Sequence, residues 1–283
     1  MFRDATKLQY DYLSWIKFIA RKYNSTEIEK SGASFFFVNE EGWAVTCKHV
    51  LDIIILVDEM NQNYEKFKKA LLSDPNKKHQ LEKQFGMNKS NHCQGAYQIN
   101  ASVKLNSQTQ FISHSTLDIG LIHFDTEEPT KYCHFVDKME KIDQGTNLAR
   151  IGFPFVDFNN YSYDNVNKTL SFETNTNPMS TFVNDGIISQ NHGTIINGVY
   201  TRTHLILSTP GIKGQSGGPV YDVEGSVAGV QSATETRDLD FLGKSKIKNK
   251  VVETPQFLNI GICVSAEAIK DFLIQNKVKF YVR

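Results

Sequence analysis

The chain has 283 residues, enough for one large domain or two of ordinary size with real cores. Its 31 Lys and Arg balance 31 Asp and Glu, so no global field argues for a nucleic-acid or anionic membrane partner, and 40% hydrophobic with 11% aromatic residues place it among globular rather than disordered chains. Cys47, Cys93, Cys133 and Cys263 form no CxxC pair and no His/Cys cluster at metal spacing, which argues against a disulfide framework or a metal site and for a reducing, cytoplasmic compartment.

The opening MFRDATKLQYDYLSWIKFIARKY carries Asp4, Lys7, Asp11 and Lys17 where a secretory leader needs an unbroken apolar stretch. Leu8, Tyr12, Trp15, Ile16 and Ile19 recur at helical spacing, so an amphipathic helix is predicted over 4–22, started by Asp4, within an N-terminal segment 1–27. That helix packs on the body by default; joining copies of the chain is its other use. No apolar run reaches the roughly 18 residues of a membrane span.

SGASFFFVNEEGWAVTCKHV reads as two strands around a turn at Asn39–Gly42, and LDIIILVDEM as a further buried strand. Residues 59–92 are polar, Lys-rich and helix-favouring with a break at Asp74-Pro75, a helical insertion between strands. AYQINASVKL and TLDIGLIHFD return to strand character and end a first half, 28–130. A connector follows over 126–146, and ARIGFPF opens a second half over 145–264. Residues 156–184 are Asn/Thr/Ser/Tyr-rich and are predicted as a long loop. DGIISQ, NGVYTRTHLILS, SGGPVYDVEG, SVAGVQSAT and NIGICVSAE are short strands. Lys244, Lys246, Lys248 and Lys250 share one side of a solvated ribbon, and a helix over 265–276 closes the chain. Many short strands with turn signals predict antiparallel barrels or sandwiches.

GIKGQSGGPVYDVEGSVAGVQS packs Gly214, Gly217 and Gly218 around Ser216, a tight turn that presents backbone N–H groups beside a hydroxyl. A serine hydroxyl is a poor nucleophile until a base is near it. Of eight histidines, His49 follows a strand end at WAVTC, a platform for an exposed ring. His79, His92, His114, His123, His134, His192 and His204 have no such context. Asp118 precedes the apolar strand in STLDIGLIHF and is the best-placed orienting carboxylate, with Asp52 and Asp125 as competitors. The order His49, Asp118, Ser216 differs from those of subtilisin and the α/β-hydrolases.

At these residues the chain resembles the trypsin-like serine proteases. GQSGGP matches their serine motif, TCKH their histidine motif and LDIGLI their aspartate strand. ARIGFPF with DGIISQ, and NIGICVSAEAIKDFL, resemble the high-temperature-requirement A branch; residues 30–276 are covered, with no room for a PDZ domain. The resemblance implies an all-β fold of two six-stranded antiparallel chymotrypsin-like barrels with an added N-terminal helix, helical insertion and C-terminal helix (265–283 with the tail). It implies a serine endopeptidase acting on polypeptides without a cofactor. Ser216 would be the nucleophile, His49 the base and Asp118 its support. The N–H groups of Gly214 and Ser216 would form the oxyanion hole. Gln231, Ser232 and Ala233 would line the groove and offer backbone bonds to an extended peptide, and Ser232 would also support Asp118. An activity that needs a neutral imidazole is expected to rise with pH through about 6.5.

Two departures matter. Residue 215 is Gln where digestive trypsins use Asp to receive a new N-terminus, so that activation route is not expected. Pro210, six residues before the serine, replaces an acid, and no acid lies between Leu205 and Ser216. A pocket selecting Arg or Lys is therefore not expected, and a small or medium apolar residue before the cut is. The competing reading is a catalytically silent or partner-activated binding module of the same fold, with a regulatory protein or a second copy as partner. A missing triad residue would favour it, and none is missing.

Overall fold

The computed structural model describes residues 1–100, 109–126, 128–173, 179–196, 199–247 and 250–283. In chain order these form α1 (Arg3–Gln9), β1 (Leu13–Lys22), β2 (Ile28–Phe37), β3 (Trp43–Thr46), α2 (Lys48–Ser73), α3 (Lys78–Gln84), β4 (His92–Ile99), β5 (Gln110–Ser113) and β6 (Gly120–His123). The second half contains β7 (Asn147–Gly152), β8 (Tyr161–Asp164), β9 (Thr169–Phe172), β10 (Phe182–Ile196), β11 (Val199–Leu207), β12 (Pro219–Tyr221), β13 (Val227–Ile247), β14 (Lys250–Ser265) and α4 (Ala266–Gln275).

The first half is one six-stranded antiparallel sheet, barrel-like, in the order β4-β1-β2-β3-β6-β5. The second closes into a six-stranded barrel in the order β10-β11-β14-β13-β12-β7. The expected all-β architecture of two six-stranded antiparallel units with added helices therefore holds. One hydrophobic core runs through both, from Phe35, Leu51 and Leu121 to Leu205, Val230 and Ile269. Ser265 caps α4 by accepting from the Ala268 N–H, and Ile269, Phe272 and Leu273 fix that helix to the second barrel.

Three sequence expectations change. The N-terminal helix covers only Arg3–Gln9, and Leu13–Lys22 is a strand. Trp15, Ile16, Phe18 and Ile19 are aromatic or β-branched, and β1 lies inside the sheet between β2 and β4 with both faces covered. A strand buried on both faces shows a nearly continuous apolar run, and a helical stripe can be drawn through it. Asp4 does not cap; it sits in the first turn, paired with Lys7.

LDIIILVDEM is helix, not strand. α2 starts at Lys48, so the helical insertion begins eleven residues before the predicted 59 and includes His49. Val50, Leu51, Ile54 and Val57 are buried, while Ile55 and Leu56 face solvent, a helical period hidden in a short apolar run. The long loop over 156–184 contains the β8–β9 hairpin, whose turn is closed by Asp164 accepting from the N–H groups of Val166 and Asn167. The lysine ribbon is the far end of the β13–β14 ladder, where Lys244 faces Glu253 at 3.2 Å; Lys248 lies outside the described residues.

Candidate active site

His49 is the second residue of α2. Cys47, extended at φ −83°, ψ 149°, turns β3 directly into the helix and sets the imidazole at the sheet edge. Asp118 ends the turn before β6. That turn is held by the His114 ring, which accepts from the N–H groups of Thr116 and Leu117. Gly120 then passes so close to Leu51 that any side chain there would collide with it, which ties the Asp118 turn to α2.

These elements bring the two side chains into contact. One carboxylate oxygen of Asp118 accepts the His49 backbone N–H at 3.0 Å, and the other meets ring Nδ1 at 2.8 Å. The Ser232 hydroxyl donates to that second oxygen at 2.6 Å. Burial works against ionisation of Asp118, but the bonds from His49 and Ser232 outweigh it and hold the carboxyl well below the usual carboxylate range. An ionised carboxylate only accepts, so the ring proton sits on Nδ1 and the lone pair of the neutral ring on Nε2.

Ser216 lies in the loop between β11 and β12. Gly214 (φ +103°) and Gly217 (φ +83°) take left-handed backbone that glycine alone adopts without strain. A side chain at 217 would strike the Ser34 carbonyl and the Thr46 hydroxyl. The loop is stitched across the two halves: the Ser34 N–H donates to the Ser216 carbonyl at 2.8 Å, and the Ser34 hydroxyl to the Gly214 carbonyl at 3.0 Å. Among the described residues, the N–H groups of Gly214 and Ser216 meet no acceptor. The Ser216 hydroxyl donates to the Ser232 carbonyl at 3.2 Å, and no hydrogen bond joins it to the His49 ring.

Gln231 is placed differently from its predicted role. Its backbone is committed internally, donating to the Gly218 carbonyl and accepting from the Gly217 N–H, both at 2.9 Å, so it offers no backbone bond to a peptide. Its side chain is buried and points into the second barrel. Ser232 and the exposed Ala233 follow, where β13 has left β12 and pairs with β14 alone, so the strand edge beside Ser216 is open. Of the competitors to Asp118, Asp52 is an exposed partner of Lys48.

Sequence reasoning missed Ser34, Thr46 and Arg150. Nothing in SGASFFF marks Ser34 except a hydroxyl among apolar residues at a strand centre. Gln215 has a plain function: its amide donates to Asn184 Oδ1 at 2.9 Å and to the Phe182 carbonyl at 3.2 Å, and accepts from the Ile212 N–H. A neutral buried side chain thus anchors the loop to β10. Cys47 Sγ lies within 4.8 Å of ligand atoms of His49 and Asp118, a spacing that resembles a metal site. Burial and the neighbouring Asp118 push its thiol far up, and it donates to the Gln231 carbonyl at 3.2 Å, so it holds its proton there.

Two antiparallel six-stranded units with a His–Asp pair on the first and a glycine-bound serine on the second define the architecture of the chymotrypsin-like peptidases. Residues 32–230 match the trypsin-like peptidase domain family, and the chain belongs to it. Its fold is similar to that of the Rv3671c protease from M. tuberculosis in its active form, with a TM-score of 0.50 and 12% identity over 99% of this chain and 86% of that one. The HtrA-type protease AlgW, as a serine-to-alanine variant with a tripeptide, aligns with a TM-score of 0.45 and 13% identity over 99% of this chain and 64% of that one. No curated protein matches the chain at a significant level.

Proposed function

We propose that this trypsin-like peptidase is a serine endopeptidase in which Ser216 attacks the peptide carbonyl, His49 moves the proton and Asp118 holds the ring. The observation that carries this is the double grip of Asp118 on His49, reinforced by Ser232. It presents Nε2 as the basic nitrogen and stabilises the imidazolium formed when the Ser216 hydroxyl gives up its proton. The same proton then goes to the leaving amine, and the acyl-enzyme is hydrolysed by water in the reverse sense. The N–H groups of Gly214 and Ser216 serve the oxyanion. The open edge of β13 after Gln231 supports an extended polypeptide substrate bound as an added strand.

The bond from the Ser216 hydroxyl to the Ser232 carbonyl favours a second element of this reading, a resting state. A peptide N–H that takes the Ser232 carbonyl frees the hydroxyl to turn toward His49, so substrate completes the catalytic pair. Catalytic hydrogen bonds often tighten only in the complex. The four buried free thiols support a reducing, cytoplasmic setting, and among the described residues no helix is long and apolar enough to cross a membrane.

The test is labelling of the purified chain with a fluorophosphonate, read by intact mass and peptide mapping, beside Ser216→Ala and His49→Ala. An adduct at Ser216 that vanishes in both variants is the expected result. A well-folded chain that takes no label, either from the fluorophosphonate or from a peptidyl phosphonate whose N–H can take the Ser232 carbonyl, overturns the endopeptidase and leaves the silent binding module.

A further inference from the structure

Arg150 is a cation without a counter-charge in the second barrel. It stands on β7, its side chain is fully buried, and it forms no ion pair with any described carboxylate. Nη1 donates to Gln231 Oε1 at 2.6 Å, and Nη2 to the carbonyl and hydroxyl of Thr209 at 2.8 and 2.7 Å; among the described residues Nε–H has no partner. All three acceptors are neutral. Asp185, which bears on it electrostatically, is exposed. Cys263 donates to the same Gln231 oxygen at 3.4 Å. Burial pushes that thiol up to about 11 although Arg150 pulls it down, so it supplies no negative charge at neutral pH. Arginine keeps its proton even here. A buried cation satisfied only by neutral dipoles, with one N–H unused, strongly favours an arriving anion.

The place of this guanidinium gives it a use. Its two anchors are the two walls beside Ser216. Thr209 precedes Pro210, the position six before the serine. Gln231 precedes Ser232, whose carbonyl accepts the Ser216 hydroxyl. Thr234 on the second wall donates to the Gly211 carbonyl on the first at 2.7 Å. Glycines admit the Gln231 and Arg150 side chains between them. A side chain at Gly211 would strike the Gln231 amide, and one at Gly261 would strike Arg150 Nη1. The Gln231 amide, a neutral isostere of a glutamate head group, now covers the guanidinium.

We infer that this slot is the pocket for the residue before the cut, and that it selects an acidic side chain, whose carboxylate replaces Gln231 Oε1 on Arg150. This deepens the endopeptidase reading and rests on it. It replaces the apolar preference expected from sequence. A carboxylate at position 210 would select a cation; here position 210 is Pro and the charge on the pocket floor is positive.

The test uses the full chain with peptidyl diphenyl phosphonates that differ only in their last residue, Glu, Asp, Gln, Val or Lys, scored by the rate of adduct formation at Ser216. A carboxylate–guanidinium bond in a desolvated pocket is expected to make the Glu probe about 10- to 100-fold faster than its Gln isostere. In Gln231→Glu a resident carboxylate pairs with Arg150, and the Glu-to-Gln ratio should fall to one or below. Equal Glu and Gln rates, or a Val or Lys preference, overturn the pocket assignment and leave the endopeptidase standing, as does fluorophosphonate labelling without any phosphonate adduct. A Glu preference that survives in folded Gln231→Glu overturns the Arg150 assignment. No adduct with any phosphonate or with the fluorophosphonate overturns both readings. The Glu and Gln probes on the unaltered chain decide the matter even if the variant does not fold.

Discussion

The hydroxyl of Ser34, at the centre of β2, donates to the carbonyl of Gly214 in the opposite half at 3.0 Å and accepts from the Phe153 N–H at 3.3 Å. One buried side chain thus ties the Gly214 backbone of the Ser216 loop to β2. In Ser34→Ala the Gly214 carbonyl keeps only its bond from the Phe153 N–H, so a loss of about 1–2 kcal/mol in stability is expected. Ser216 acylation should slow by more than that loss explains, because the Gly214 peptide plane is released. Urea melts beside fluorophosphonate rates check both; a rate equal to that of the unaltered chain removes Ser34 from the positioning of the site.

Asp118 fixes the ring tautomer as well as its direction. Asp118→Asn keeps the shape, but the amide does not accept from both the backbone and Nδ1 as the carboxylate does. The ring then carries its proton on the wrong nitrogen, and turnover should fall by about 10⁴-fold with the fold intact. Single-turnover acylation with a fluorophosphonate and far-UV circular dichroism distinguish this from unfolding; a fall of less than tenfold would mean that Asp118 does not orient the base.

Gly217 has both a left-handed backbone and a collision at any Cβ, against the Ser34 carbonyl and Thr46. Those groups are sheet backbone and a buried hydroxyl, which do not yield. Gly217→Ala should cost roughly 2–5 kcal/mol and abolish labelling at Ser216. Gly145→Ala is the control, since it shares positive φ but meets no atom within 4 Å, and its cost should stay near the strain of the backbone alone. Similar losses in the two variants would disprove the packing argument.

Burial lowers the pKa of His114, His134 and His204, which keeps them neutral in the folded chain. Unfolding returns them to the ordinary value of about 6.5, so the unfolded chain binds more protons as pH falls through that value. Their contribution is complete above it and is lost below it. Asp118, also lowered, acts in the same sense further down, its contribution lost as pH falls below the ordinary carboxylate range. Melting temperature should be highest near pH 7.5, decline from about 7 to 5, and decline again above about 8, because burial raises Cys47, Cys93, Cys133 and Cys263 and the unfolded chain releases their protons first. A melting temperature that climbs toward the acid end would show that these histidines gain partners on folding rather than lose solvent.

The hairpin turn at Asn39–Gly42, the strand β7 and the closing helix α4 were legible because each carries a local signal: a turn glycine, a bounded apolar run, or a capping serine before a helical stripe. Leu13–Lys22 and Leu51–Met60 were misread for a common reason. Both are dense apolar runs in which helix and strand periods overlap, and only their neighbours distinguish them. β1 is a strand because β2 and β4 flank it; Leu51–Met60 is a helix because it covers one face of β4 and the Asp118 turn. The structure brings His49 and Asp118 into contact, and it commits the Gln231 backbone to Gly217 and Gly218, a pairing that no local signal in the sequence marks.

The sequence by itself determined the glycine-bound Ser216 loop, because positive φ beside close-packed backbone is a property of glycine that no context alters. It also determined the fold class, through the number and spacing of its strands. Only the tertiary structure decided what surrounds Arg150. A single arginine in ARIGFPF reads as a surface charge until Gly211, Thr209, Gln231 and Gly261, drawn from distant segments, close over it. Burial is a property of those partners together, and it turns an ordinary cation into one held only by neutral acceptors.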